Sequence, residues 1–161
     1  MENPAPDTRP PDLSRAATPI AFIEAILAGY RRYGADPANA LARASISPAL
    51  LGHPEARVTA SQMEIMSGAA MQELDDEALG WFSRRLPWGS YGMLCRASIT
   101  SPDLGVALKR WCRHHRLLTD DIELRLEISG SEARLTLTPR RELDELREFC
   151  LVTLLRYVLG Y

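Results

Sequence analysis

Four short strings in this chain hold residue types that can do chemistry. Gly89-Ser90-Tyr91-Gly92 sets a serine among glycines. A nucleophile elbow needs glycine two positions before and two after the serine, and here Trp88 stands two before, so the spacing fails. Cys112, His114 and His115 form the second string. On a helix Cys112 and His115 share a face and could be two metal ligands. A structural zinc site needs four; His53 is the only other histidine, and Cys95 and Cys150 have no ligand neighbours. The pair is therefore read as helix packing, with no metal and no cofactor. Residues 41–51, LARASISPALL, have the rhythm of a small helix-turn-helix. A reading helix needs side chains for bases and phosphates. Residues 48–56 supply Pro, Ala, Leu, Leu, Gly, His, Pro, Glu and Ala, so the two elements are expected to pack without touching DNA. No Walker loop, GxGxxG or HExxH is present.

The fourth string is the most informative. Between residues 80 and 119 seven basic residues (Arg84, Arg85, Arg96, Lys109, Arg110, Arg113, Arg116) face one acid, Asp103. Trp81, Phe82, Trp88, Tyr91 and Trp111 are interleaved with them. Lys109, Arg113 and Arg116 read as the solvated face of a helix. Pro87 and Gly89 predict a loop around Arg84, Arg85 and Trp88, and loops carry binding residues. Aromatic walls with a few placed cations can hold a small anionic or amphipathic ligand. The ligand residues expected on this ground are Trp81, Arg84, Arg85, Trp88, Tyr91, Trp111 and His115. They would line a site between the 80–94 loop and the helix from 103. A solvated loop beside an aromatic core is the alternative.

The elements that must position these residues follow from period and punctuation. Pro4, Pro6, Pro10 and Pro11 and the lack of large apolar residues predict a disordered leader over 1–17. Thr18-Pro19 signals a helix start, with Ile23, Ile26, Leu27 and Tyr30 at helical spacing and Gly34 as the stop. Asp36-Pro37 and Ser47-Pro48 open two short helices, and Thr59 or Ser61 caps a longer one carrying Met63, Met66, Ala70 and Leu74. The acids Glu73, Asp75, Asp76 and Glu77 oppose a helix C-terminus, so that helix should stop before most of them. Ser90 is expected to cap a helix over about 91–99, and Ser101-Pro102-Asp103 another, with Leu104, Leu108, Trp111 and His115 in one stripe. Strict alternation from Ile122, broken by Gly130-Ser131, predicts a hairpin pairing Leu124 with Leu137, Leu126 with Leu135 and Ile128 with Ala133. The expected core includes Ile23, Leu27, Leu104, Leu108, Trp111, Leu124, Leu126 and Leu135.

From about Glu142 the chain reads as a helix, apolar nearly all round from Phe149 to Leu159. Such a helix must be covered on most sides. One hairpin is also too little sheet to stand alone. The fold class is therefore α+β, about six helices with a small antiparallel hairpin, and the pattern reads as an incomplete domain. The uncovered face predicts a homodimer or higher through Leu151, Leu154, Leu155 and Val158.

Composition bounds the rest. The 161 residues, 46% apolar and 25% charged, fit one ordinary globular domain. A net charge of −2 excludes a polycation built for nucleic acid. Three widely spaced cysteines fit reduced thiols better than a disulfide framework. The apolar run Phe149–Leu155 is too short to span a bilayer, and the acidic, Pro-rich start has no signal-peptide pattern, so a cytoplasmic protein is expected.

The run LGWFSRRLPWGSYGMLCRASITSPDLGVALKRWCRHHRLL, residues 79–118, resembles the N-terminal region of AraC/XylS-type bacterial transcription regulators. It is similar to the subgroup with an arabinose-binding-like N-terminal half. Those proteins share a leading helix, a short helix pair, then "LG" before a glycine-containing turn, which here reads LPWGSYGML over 86–94. A helix like SPDLGVALKRWCRHHRLL and a hairpin follow. The resemblance implies an effector-sensing and dimerising domain over 18–161, with promoter DNA bound only through a C-terminal helix-turn-helix domain absent from this chain. It implies a small-molecule effector without specifying a sugar. A cupin-like barrel is not implied, because one hairpin among many helices is all that is legible. Two other functions stay open: a purely structural dimerisation module, and a small enzyme using the Trp/Arg-rich 80–94 loop. The enzyme lacks a nucleophile–base or carboxylate pair in a recognisable context.

Overall fold

The computed structural model describes residues 15–143 and 146–160. The leader expected over 1–17 falls, up to residue 14, outside the described residues. Among the described residues the order is β1 (Ala16–Pro19), α1 (Ala21–Tyr33), α2 (Ala38–Arg43), a 3-10 turn (Pro48–Leu50), β2 (Arg57–Thr59) and α3 (Ala60–Glu73). Then come α4 (Ser90–Ser98), α5 (Leu104–Leu118), β3 (Ile122–Ser129), β4 (Glu132–Pro139) and α6 (Arg147–Leu159). The class is α+β, with two separate two-stranded antiparallel sheets, β1-β2 and β3-β4.

Local chemistry sets most of the boundaries. Asp36 Oδ1 accepts from the Ala38 amide at 3.0 Å and starts α2. Thr59 and Gln62 close a reciprocal capping box on α3. Asp103 accepts from the Val106 amide at 2.8 Å and so caps α5. Helix α3 ends at Glu73, so Asp75, Asp76 and Glu77 lie beyond it. The β3-β4 register pairs Leu124 with Leu137, Leu126 with Leu135, Ile128 with Ala133 and Glu127 with Arg134, as the alternation requires.

Four expectations need correction. Thr18-Pro19 does not start α1: it sits in β1, opposite Val58 and Arg57, and Ile20 is the N-cap. Proline suits a strand end there because no ladder donor is required of it. Ser90 is the first residue of α4 rather than its cap. Its hydroxyl donates to Pro87 O at 2.6 Å, and Gly89, at φ 96°, stands at the cap instead. Helix α6 begins at Arg147, not near Glu142. Leu104 is 66% exposed and Leu108 half-buried, because the buried face of α5 runs through Ala107, Trp111, Cys112, His115 and Leu118. Leu104, in the first turn of α5, takes no part in the core cluster.

The core is continuous from Ile20, Ile23, Ile26 and Tyr30 at and along α1 through Met66 and Ala70 on α3 to Trp81, Phe82, Leu94, Trp111, Ile122 and Leu154. Leu126 and Leu135 pack against it from the side, half-buried. The LARASISPALL stretch folds as α2 and the 3-10 turn, with Leu41, Ala44 and Ile46 buried, so no second full helix follows the turn there.

Candidate functional site

The Trp/Arg-rich loop is held by the acids that precede it. Asp76 is fully buried. Its Oδ1 accepts from the Ala78 amide at 3.0 Å and the Leu86 amide at 2.9 Å. Its Oδ2 accepts from the Gly80 amide at 2.7 Å and the Tyr33 hydroxyl at 2.8 Å. Glu77, also buried, accepts from the Gly89 amide at 2.8 Å and the Tyr91 amide at 2.7 Å. Its charge is thereby set on the N-terminus of α4, where the helix dipole favours it. Asp75 accepts from the Trp88 amide at 3.0 Å. Asp121 accepts from the Ser83 amide and hydroxyl and lies 3.6 Å from Arg141. Charge-assisted bonds of this kind are roughly twice as strong as neutral ones. The loop is thus fastened at Gly80, Ser83, Leu86, Trp88, Gly89 and Tyr91. Burial, reinforced by the Asp76 bond, pushes the Tyr33 hydroxyl up to about 12.

The seven expected ligand residues divide between two places. Trp81, Tyr91, Trp111 and His115 are buried; Arg84, Arg85 and Trp88 are exposed, Trp88 by 51%. Trp81 packs edge-on to Phe149, ring centroids 4.9 Å apart. Tyr91 stacks with Trp111 at 5.9 Å, and Trp111 with His115 at 5.4 Å. Burial lowers the His115 pKa to about 4, so its ring is neutral at pH 7. The Arg85 guanidinium lies 4.0 Å above the Tyr33 ring and donates to Leu74 O at 3.2 Å. The four interior rings therefore form packing, and Arg84 and Trp88 do not join them in one pocket. Carboxylates binding backbone amides close the loop down onto the core, and that closure leaves the exposed side chains outside.

An open space lies on another side of α3. A hollow of about 420 Å³ runs between α3 and α6, with Phe22 and Leu79 contributing to its wall. Helix α3 presents Ala60, Met63, Glu64, Ser67, Gly68 and Met71, and α6 presents Phe149, Thr153, Arg156 and Tyr157. A Cβ added at Gly68 would meet nothing within 4 Å, so this glycine opens the space. The Tyr157 hydroxyl contacts Met71 Sδ at 3.6 Å, and its ring lies 4.6 Å from that of Tyr91. Tyr157 thereby joins the hollow to the Tyr91–Trp111–His115 stack. Trp81 borders a smaller hollow of about 200 Å³ beside Arg32 and Arg141.

Sequence reasoning misses the α3–α6 hollow. Periodicity reads Met63 as core, and it does bury, but it also walls the open space. The available signal is Ser67-Gly68 in the middle of an otherwise helix-favouring stretch, facing a helix apolar on every side.

The expected dimer residues divide too. Leu154 is fully buried inside this chain and cannot meet a partner; Leu151 and Val158 are half-buried and Leu155 is exposed. No helix among the described residues is long and apolar enough to cross a membrane.

Comparison with known proteins adds a family to this geometry. The profile described as "Arabinose-binding domain of AraC transcription regulator, N-term" matches residues 34–161. An ornithine utilization regulator of Pseudomonas aeruginosa is 26% identical over 128 residues, which cover 79% of this chain and 38% of that regulator's length. No solved structure matches.

Proposed function

The chain belongs to the family of N-terminal arabinose-binding domains of AraC transcription regulators, and from that premise we propose that it senses a small-molecule effector and dimerises. In this reading a C-terminal domain outside the chain binds promoter DNA, and the sensor controls it. The family is one of regulators rather than enzymes. The observation that carries the sensing role is the α3–α6 hollow. Its volume of about 420 Å³ falls in the size range of small-molecule sites. Its lining is largely apolar with a few polar groups, as such sites are.

Dimerisation is supported by α6. Thr153, Arg156 and Tyr157 face the hollow, and the helical period then puts Leu151, Leu155 and Val158 roughly opposite. Leu155 and Leu159, 40% and 85% exposed, leave an apolar edge that a second copy can cover. One helix would then feel both the effector and the partner.

A thermal-shift panel of small metabolites tests the sensor. A ligand that binds the native state at about one hundred times its Kd adds about 2.7 kcal/mol of stability. Stabilisation by one metabolite class is the expected result; a panel with no effect would leave the structural dimerisation module as the surviving reading. Light scattering at micromolar concentration should report a dimer that Leu155→Glu with Leu159→Glu converts to monomer. A monomeric wild type would remove the dimer from the proposal.

A further inference from the structure

We propose that the α3–α6 hollow binds a zwitterion with an apolar body, such as an apolar α-amino acid, and that Arg156 holds its carboxylate and Glu64 its ammonium. This inference rests on the sensor reading above and names the ligand class of that same site. Among the described residues of the lining, Arg156 is the cation and Glu64 the anion, and they stand on facing helices. Both residues are exposed. Among the described residues neither makes a salt bridge. The two charges are thus available to a ligand, and a ligand carrying both signs on one end satisfies both. A simple carboxylate would meet Glu64 repulsively, and a simple amine would meet Arg156 in the same way.

The floor argues for the apolar body. Phe22, Met63, Met71, Leu79 and Phe149 supply it. Methionines adapt their shape to irregular apolar groups and contact aromatic rings favourably. Few hydroxyls are offered. The Ser67 hydroxyl already donates to Met63 O at 2.8 Å, and Thr153 is the other aliphatic hydroxyl of the described lining. A sugar presents hydroxyls on all sides, and leaving them unpaired against this floor costs binding energy. A diamino acid would place its second ammonium on the same floor, with Glu64 already engaged by the first. The chemistry therefore points away from sugars and from diamino acids.

Isothermal titration calorimetry on the 161-residue chain tests this directly. The probes are L-phenylalanine, L-methionine and L-leucine, with 3-phenylpropanoate and phenethylamine as analogues carrying one charge each, and L-arabinose and L-ornithine. At least one apolar amino acid should bind, with both one-charge analogues, arabinose and ornithine weaker by about tenfold or more. Arg156→Gln and Glu64→Gln should each weaken the amino acid about tenfold or more. Gly68→Leu, whose side chain projects into the hollow, should abolish binding while the melting temperature holds or rises. Failure of all three amino acids, or equal binding of either analogue, overturns the ligand class. If another metabolite binds and Gly68→Leu blocks it, the sensor and its site stand and the zwitterion falls. If a metabolite binds unaffected by Gly68→Leu, the sensor stands and the site falls.

Discussion

The turn after α3 and the groove beside α3 are made from the same helix, yet one is closed and the other open. On the closed side Gly29 of α1 approaches the 75–80 turn so tightly that a Cβ there would run into the Leu79 carbonyl oxygen. On the open side a Cβ at Gly68 would meet nothing within 4 Å. The closed side holds three acids bound to backbone amides, and it keeps Asp75, Leu79 and Gly80 at positive φ. The open side holds methionines, a glycine and two exposed unlike charges. Charge is spent on structure in the first place and left at the surface in the second. Carboxylates beside a Trp/Arg-rich loop look like chemistry in a sequence, but here the amides of the loop consume them. The open space proposed for a ligand lies against a helix face whose residues look like ordinary core.

The heaviest loss is expected at Asp76. Asp76→Ala leaves three buried amides and the Tyr33 hydroxyl without their acceptor. Each unsatisfied buried amide costs about 1–3 kcal/mol, so the three together should bring a loss of at least about 3 kcal/mol. That is a large part of the stability of an ordinary domain. Urea unfolding should show a collapse of the midpoint or no folded baseline. Asp76→Asn, which keeps the Oδ1 acceptor, should fall between. A wild-type midpoint for Asp76→Ala would mean that the turn does not depend on its carboxylate, and the contrast with the open side would fail.

Next comes Gly29→Ala. The added methyl must displace a backbone carbonyl, not a flexible side-chain end. Overpacking of this kind costs about 1–3 kcal/mol, and a backbone obstacle places this case near the top. A melting temperature unchanged by Gly29→Ala would show that α1 and the turn can separate without loss.

His115 extends the contrast to pH. Its ring is buried among Phe82, Tyr91 and Trp111, and burial lowers its pKa from 6.5 to about 4. Between those values the unfolded chain binds a proton that the folded chain does not. The contribution is therefore full above about pH 6.5 and lost as pH falls toward 4. Between pH 8 and pH 5 the loss should come to about 2 kcal/mol. His115→Phe should remove that part of the slope. Equal slopes for wild type and His115→Phe, measured by urea unfolding at both pH values, would show that the ring is not buried neutral.

What the sequence disclosed and what it hid divide along the same line. The β3-β4 register was legible because alternation and a Gly-Ser turn are local, and Glu127 opposite Arg134 agreed with the apolar pairs. The helix starts were legible for the same reason, as Thr59 or Ser61 for α3 and Ser101-Pro102-Asp103 for α5, and the structure selects Thr59 and Asp103. The work of Asp76 and Glu77 was not. Apart from the Tyr33 hydroxyl on Asp76, their partners are amides, which every residue but proline owns. The Tyr91 amide that Glu77 binds lies 14 residues further along the chain. No side-chain identity marks such partners. The hollow was hidden differently: periodicity shows that Met63 faces other apolar groups, but not whether that space is filled. Leu154 and Leu155 show the same limit, since one is buried and its neighbour exposed in a helix apolar all round.

The weakest effect has the opposite sign. Gly68 lies inside α3, where a glycine costs about 0.5–1 kcal/mol relative to alanine through the freedom it loses on folding. It makes no close approach that would repay this, because the space a Cβ would enter is empty. Gly68→Ala should therefore stabilise the chain by about 0.5–1 kcal/mol, raising the melting temperature by a few degrees. The same substitution at Gly29, also inside a helix, should do the reverse. The two changes have the same chemistry and nearly the same helix propensity, so the difference between them measures only what lies beyond the Cβ. A glycine whose replacement stabilises the fold is one that stability alone does not maintain, as the proposed ligand site requires of Gly68. Differential scanning calorimetry of both variants gives the comparison in one experiment. Destabilisation by Gly68→Ala would mean that α6 already fills the space, and the hollow would then be too small for any effector.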